Sequence, residues 1–132
     1  MKVFQAQKPF EKTGTSLMCR FKVPDDAGYG QQADISTIVM SVIDTKLKKK
    51  VIDDLSLTVS SVVYNTLQTD ARWTDENGAA IDAIGYNFRY DTLRTHIPNG
   101  GTTYLFEFYF TPVSGEPFAA AFEVEALNLF GR

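Results

Sequence analysis

The chain has 132 residues, enough for one ordinary domain and too few for two catalytic ones. Hydrophobic residues make up 44% and charged residues 22%, which excludes the low-hydrophobicity, high-charge signature of disorder. Thirteen basic against sixteen acidic side chains leave a net charge of −3, so the electrostatic footprint of a general nucleic-acid-coating protein is missing. Ten Phe, six Tyr and one Trp favour strands, because flat side chains suit a pleated, half-buried surface. The single cysteine, Cys19, excludes an intrachain disulfide and a Cys-rich zinc site.

Residues 1–15 mix apolar and polar types and are expected to be an N-terminal arm or an edge strand. They contain no continuous apolar run of the kind a secretion signal needs, and no stretch of the chain is apolar enough to span a membrane. From Ser16, Leu17, Cys19, Phe21 and Val23 alternate with Met18, Arg20 and Lys22, the period of a strand with one buried face. Pro24-Asp25-Asp26 ends it, and the glycines of Ala27 to Gln32 make the following segment a loop. Ile38, Met40 and Val42 then alternate with Val39, Ser41 and Ile43, leading into a lysine-rich hairpin tip at residues 44–50. Leu55, Leu57 and Val59 resume the alternation, and a one-residue phase change near Ser61 predicts a bulge or a bend.

Asn65 to Ala83 is polar and carries an Asn77-Gly78 turn just after Trp73. Tyr86, Phe88 and Tyr90 form the next strand, and Pro98-Asn99-Gly100-Gly101 separates it from Tyr104 to Phe110, the most apolar strand of all. Phe118 to Ala126 returns antiparallel after a Gly/Pro turn. About seven short strands with no sustained helical period predict an all-β, antiparallel two-sheet sandwich of immunoglobulin type spanning 16–127, with an extended N-terminal arm and a C-terminal tail over 128–132. In that frame Trp73 is a candidate for the central aromatic and Tyr104 for the corner tyrosine.

Chemistry-bearing residues are sparse. Cys19 falls on a core face and reads as a small buried hydrophobe. His96, the only histidine, reads as a surface or loop hydrogen-bonder and cannot build a standard zinc site alone. The acidic doublets Asp25-Asp26, Asp53-Asp54 and Asp75-Glu76 lack calcium-loop spacing, and neighbours on a strand point to opposite faces, so they read as solvated turn acids. No dinucleotide or phosphate-binding loop is present, and neither an enzymatic constellation nor a cofactor is expected. Lys46, Lys48, Lys49 and Lys50 are the sharpest electrostatic feature, suited to blunting an edge strand or to meeting an acidic partner. Tyr29, Trp73 and Tyr90 are candidates for stacking on a sugar or receptor group.

Gly85-Tyr86-Asn87-Phe88, Pro98-Asn99-Gly100-Gly101, Tyr104 to Pro112, Ser114-Gly115 and Phe118 to Val124 together carry a resemblance. This part of the chain, about its last 60–70 residues, resembles the immunoglobulin-like domains of tailed-phage virion proteins, including the N-terminal domains of phage baseplate upper proteins. The resemblance implies a non-enzymatic structural module of the virion, multicopy or homo-oligomeric, made in the host cytoplasm. Its partners would be capsid, neck or tail proteins, with neither membrane nor nucleic acid among them. Docking is then expected through Val3, Phe4 and Phe10 of the arm, the Lys46 to Lys50 hairpin, and Leu129 and Phe130 of the tail. The alternative is a carbohydrate- or receptor-binding sandwich that uses Tyr29, Trp73 and Tyr90.

Overall fold

A computed structural model describes residues 2–23, 28–75 and 77–129. Eight strands follow in chain order: β1 (Lys2–Gln5), β2 (Ser16–Cys19), β3 (Ile35–Asp44), β4 (Lys49–Leu57), β5 (Val63–Gln68), β6 (Tyr86–Asp91), β7 (Thr102–Pro112) and β8 (Phe118–Ala126). One helical turn, α1 (Val59–Val62), sits at the phase change near Ser61, where it carries the chain from one sheet to the other. The strands form a five-stranded sheet, β1-β8-β7-β3-β4, and a three-stranded sheet, β2-β6-β5. All neighbours are antiparallel except β1, which lies parallel to β8. In immunoglobulin lettering the chain runs A to G with an added C′: one sheet is A-G-F-C-C′ and the other B-E-D. The expected immunoglobulin-like sandwich is the observed fold.

Period-two alternation builds the core. Along β7, Tyr104, Phe106, Phe108 and Phe110 are buried, while Leu105, Glu107 and Tyr109 face outward. Phe88 of β6 crosses the gap between the sheets and lies within 4.9 Å of the Phe108 ring, 5.4 Å of Phe110 and 6.3 Å of Phe122. The edge-to-face contacts with Phe108 and Phe110 and the stacked one with Phe122 add to area burial, so truncating Phe88 to Ala would cost about 3–5 kcal/mol. Cys19 is buried in the same core, as its alternation predicts.

Several expectations need correction. Trp73 is not the central aromatic: the immunoglobulin Trp sits on strand C, whereas residue 73 falls in the connection between D and E. Ile38, Met40 and Val42 fill the strand C positions, and Trp73 packs with Met18, Tyr86 and Tyr64 in a separate cluster. Met18 points away from the main core side of β2, so this cluster covers the outer face of the small sheet. Residues 65–68, read as the start of a polar segment, continue from Val63 and Tyr64 as β5; an edge strand needs little apolar surface, and Asn65 and Val63 accept hydrogen bonds from Gln32.

Tyr104, by contrast, has the corner geometry. Its buried hydroxyl accepts from the Asn99 amide at 2.9 Å and donates to the Asn99 carbonyl at 3.2 Å. Of the two readings for the first fifteen residues, the edge strand is the one formed. The Phe4 ring stacks on Phe122 at 5.1 Å, the Ala6 amide donates to Glu123, and Phe10 bridges to Leu127. A free extended arm is therefore not observed over this stretch.

Candidate functional site

Three groups of side chains stand out. The first is the β3–β4 hairpin tip. Asp44, buried at its base, accepts from the amides of Lys46 at 3.0 Å and Leu47 at 3.2 Å and from the Thr102 hydroxyl at 2.7 Å. The Thr45 hydroxyl donates to the Thr103 carbonyl at 2.7 Å, and Lys48 takes a left-handed φ of 54° to close the turn. The base is thus pinned, and Lys46, Leu47, Lys48, Lys49 and Lys50 project as an exposed basic knob. Lys50 pairs with Asp53 at 2.9 Å, a hydrogen bond that raises its pKa. The sequence singled out these lysines; it did not single out Asp44, although an Asp opening a turn is a familiar signal.

The second group ties the two ends of the chain together. Glu11, buried, accepts from the amides of Gly100 at 2.9 Å and Leu129 at 3.1 Å. Backbone bonds join Glu11 to Leu127, Leu127 to Pro9, and Lys12 to Ile97. Phe10 and Leu127 remain partly exposed beside each other, at 50% and 37%. Of the expected docking residues at the termini, Phe4 is turned onto the protein's own core, Phe10 faces solvent, and Leu129 is held at Glu11. Phe130 and the side chain of Val3 lie outside the described residues, as do Asp25, Asp26 and Glu76.

The third group is a charge network on the small sheet. Asp70 receives both ends of the Arg72 guanidinium at 3.1 Å and Arg89 at 3.2 Å, while Arg89 also reaches Asp91 and Arg72 reaches Ser16. The Arg72 hydrogen bonds pull the Asp70 carboxyl down to about 2. Asp82 is likewise held at about 2, chiefly by the Gly85 amide, with Arg20, the Trp73 indole and the Ile84 amide adding to it. A polar cleft of about 390 Å³ lies alongside, lined by Gln7, Gly14, Thr15, Ser16, Arg72, Asp91 and Thr92. Its charges are matched internally: Arg72 spends its donors on Asp70 and Ser16, so the network functions as a staple between β2, β6 and the D–E connection.

The stacking candidates are not brought together. Trp73 is 5% exposed, with its indole N–H committed to Asp82, and so cannot stack on a ligand. Tyr90 packs between His96 and Phe108, and burial pushes its hydroxyl pKa up. Tyr29 alone is on the surface, with the Lys22 amine 5.2 Å and the Arg20 guanidinium 6.0 Å from its ring centre. His96 is a loop hydrogen-bonder as expected, its Nδ1 accepting from the Leu93 amide at 3.2 Å, but it is buried rather than at the surface. Desolvation there lowers its pKa.

Among the described residues no group of three or more His, Cys, Asp or Glu side chains could hold a metal ion, and no helix is long and apolar enough to cross a membrane. The described surface offers non-covalent contacts: a basic knob, a partly apolar pole and an outward-facing sheet. The fold defines the chain as an all-β immunoglobulin-type sandwich. No family model, curated protein or solved structure matches it.

Proposed function

We propose that the chain is a non-enzymatic structural protein of a tailed-phage particle, docking on the capsid as a decoration protein or forming part of the neck or tail. The observation that carries this reading is where the unshared chemistry lies. The buried Asp44 and Glu11 and the partly exposed Asp82 are spent on holding turns and chain ends, while the lysine knob and the Phe10–Leu127 pole stand on the described surface. Rigid turns presenting contact residues suit repeated docking, and the resemblance of the C-terminal hairpin to virion immunoglobulin-like domains points the same way. Docking by Phe4 is withdrawn from the proposal, since that ring packs on Phe122. The basic knob and Phe10 remain as contacts, and Leu127 joins Phe10 at the pole.

The test is quantitative mass spectrometry of purified particles from the phage encoding the chain, scaled to the major capsid protein. Hundreds of copies would support capsid decoration, and a dozen to a few dozen a neck or tail position. Absence from the particle would overturn the reading.

A further inference from the structure

We propose that the cleft between the turn at Glu11 and Lys12 and the connection over 93–98 binds a carboxylate-bearing segment of a partner protein. The inference rests on the docking reading for the partner's being a protein, and adds the chemistry of the segment that this pole of the molecule recognises.

The cleft has a volume of about 320 Å³ and is lined by Lys12, Arg94, Thr95 and Pro98. Two of these four residues are cations and none is an anion, in a chain whose net charge is −3. Both cations are exposed, and neither makes an ion pair. Arg94 stands apart in this from the other described arginines: Arg20 is spent on Asp82, Arg72 on Asp70, and Arg89 on Asp70 and Asp91. Glu11, next to Lys12 in the chain, is buried with its oxygens on the Gly100 and Leu129 amides and is not part of the lining.

The two cations sit on fixed backbone. The Lys12 amide donates to the Ile97 carbonyl at 2.7 Å, and the Thr13 hydroxyl to the Phe10 carbonyl at 2.6 Å. On the other wall the His96 amide closes a turn onto the Leu93 carbonyl at 2.9 Å, and the buried His96 ring accepts from the Leu93 amide at 3.2 Å. Lys12 has a φ of 60°, the left-handed region that glycine or asparagine enters most readily. A lysine held there against its backbone preference, at the wall of a cleft, is the kind of strain that accompanies a ligand contact.

Charge complementarity makes the occupant an anion, and the walls narrow its class. Beside the two charges lie the Pro98 ring and the methylene stems of Lys12 and Arg94. A nucleic-acid strand needs a longer run of cations than two, and free phosphate would leave the apolar surface uncovered. A carboxylate next to an apolar side chain uses both features. The guanidinium matches a carboxylate with two parallel hydrogen bonds, the ammonium adds a point charge, and the apolar neighbour covers Pro98. Phe10, two residues before Lys12, and Leu93, one before Arg94, are exposed and extend the apolar surface of this pole.

The experiment is a titration of the isotope-labelled full chain followed by amide chemical shifts. The separate probes are the capped peptide Gly-Leu-Glu-Glu-Gly, its Gln-Gln counterpart and inorganic phosphate. The Glu peptide should move the amides of Lys12, Arg94 and Thr95 with a dissociation constant of about 1 mM, the scale of two exposed charge contacts and a small apolar one. The Gln peptide should bind about fivefold more weakly or worse. Lys12→Gly and Arg94→Gln should each weaken the Glu peptide about fivefold, and Lys12→Gly should keep the wild-type Tm, because glycine takes this φ freely. No shift at the cleft, equal binding of the two peptides, phosphate as effective as the Glu peptide, or full binding by either variant would overturn the proposal. Absence of the chain from phage particles would overturn the docking reading without altering this titration, and a cleft silent in the titration would leave the particle count standing.

Discussion

Asn87 is 1% exposed between Tyr86 and Phe88, and its amide does what a strand neighbour would do. Its Oδ1 accepts from the Phe21 amide at 2.9 Å, and its Nδ2 donates to the carbonyls of Phe21 at 3.0 Å and Gly30 at 2.9 Å. These bonds continue the β2–β6 pairing past Cys19 and seat the Phe21 ring 5.2 Å from Phe110 and 5.8 Å from Phe118. At a net 0.5–1.5 kcal/mol per hydrogen bond, Asn87→Ala should cost about 3 kcal/mol. For a domain of this size that lowers Tm by about 10 °C. Asn87→Asp keeps the Phe21 amide bond but sets a carboxylate against two carbonyl oxygens, so at pH 7 it should be less stable than the Ala variant and recover as pH falls. Urea unfolding followed by Trp73 fluorescence measures both. A loss below about 0.5 kcal/mol for Asn87→Ala, or Asp outranking Ala at pH 7, would refute the reasoning.

Tyr104→Phe removes both bonds to the Asn99 backbone but keeps the ring, and because Asn99 is exposed, water can replace the partner; urea unfolding should show a loss of about 1 kcal/mol. His96 has a folded pKa below its unfolded value near 6.5, so the unfolded chain binds the extra proton first and stability falls as pH drops below about 6.5. His96→Gln should flatten that part of a Tm-against-pH curve. Asp82, at about 2 when folded, contributes stability that is complete above the unfolded carboxylate range and lost as pH falls from about 4 toward 2; Asp82→Asn should shrink that acid limb, leaving the share of Asp70, and shift Trp73 emission. Gly85 has φ 109°, and a Cβ there would lie 2.3 Å from the Gln68 carbonyl oxygen, so Gly85→Ala should cost about 2 kcal/mol or more by the same unfolding assay.

The fold class was legible because alternation is a local property: a strand buried on one face must place apolar side chains at every second position, and β3, β7 and β8 do so. The same signal placed Cys19 in the core and the lysines on a hairpin tip. It weakened where burial is not periodic. β5 is a polar edge strand stabilised by backbone pairing, which leaves little trace in composition. Tyr104 could be assigned a role only because the corner motif joins residues five apart, within reach of a local reading.

Everything that depends on which distant residues meet was decided by the tertiary structure. Glu11 acts on Gly100 and Leu129, Asn87 on Phe21 and Gly30, and Asp82 on Arg20; in each case the partner lies many residues away, and neither side chain announces the other. The same reason explains why Trp73 and Phe4 were misplaced as contact residues. A lone exposed-looking aromatic and one folded back onto its own core have the same sequence context, and only the cost of leaving that surface in water, set against the partner the fold brings to it, separates them. Sequence alone determined that two sheets would form and which faces would be apolar. The order A-G-F-C-C′ over B-E-D came from packing those sheets against each other.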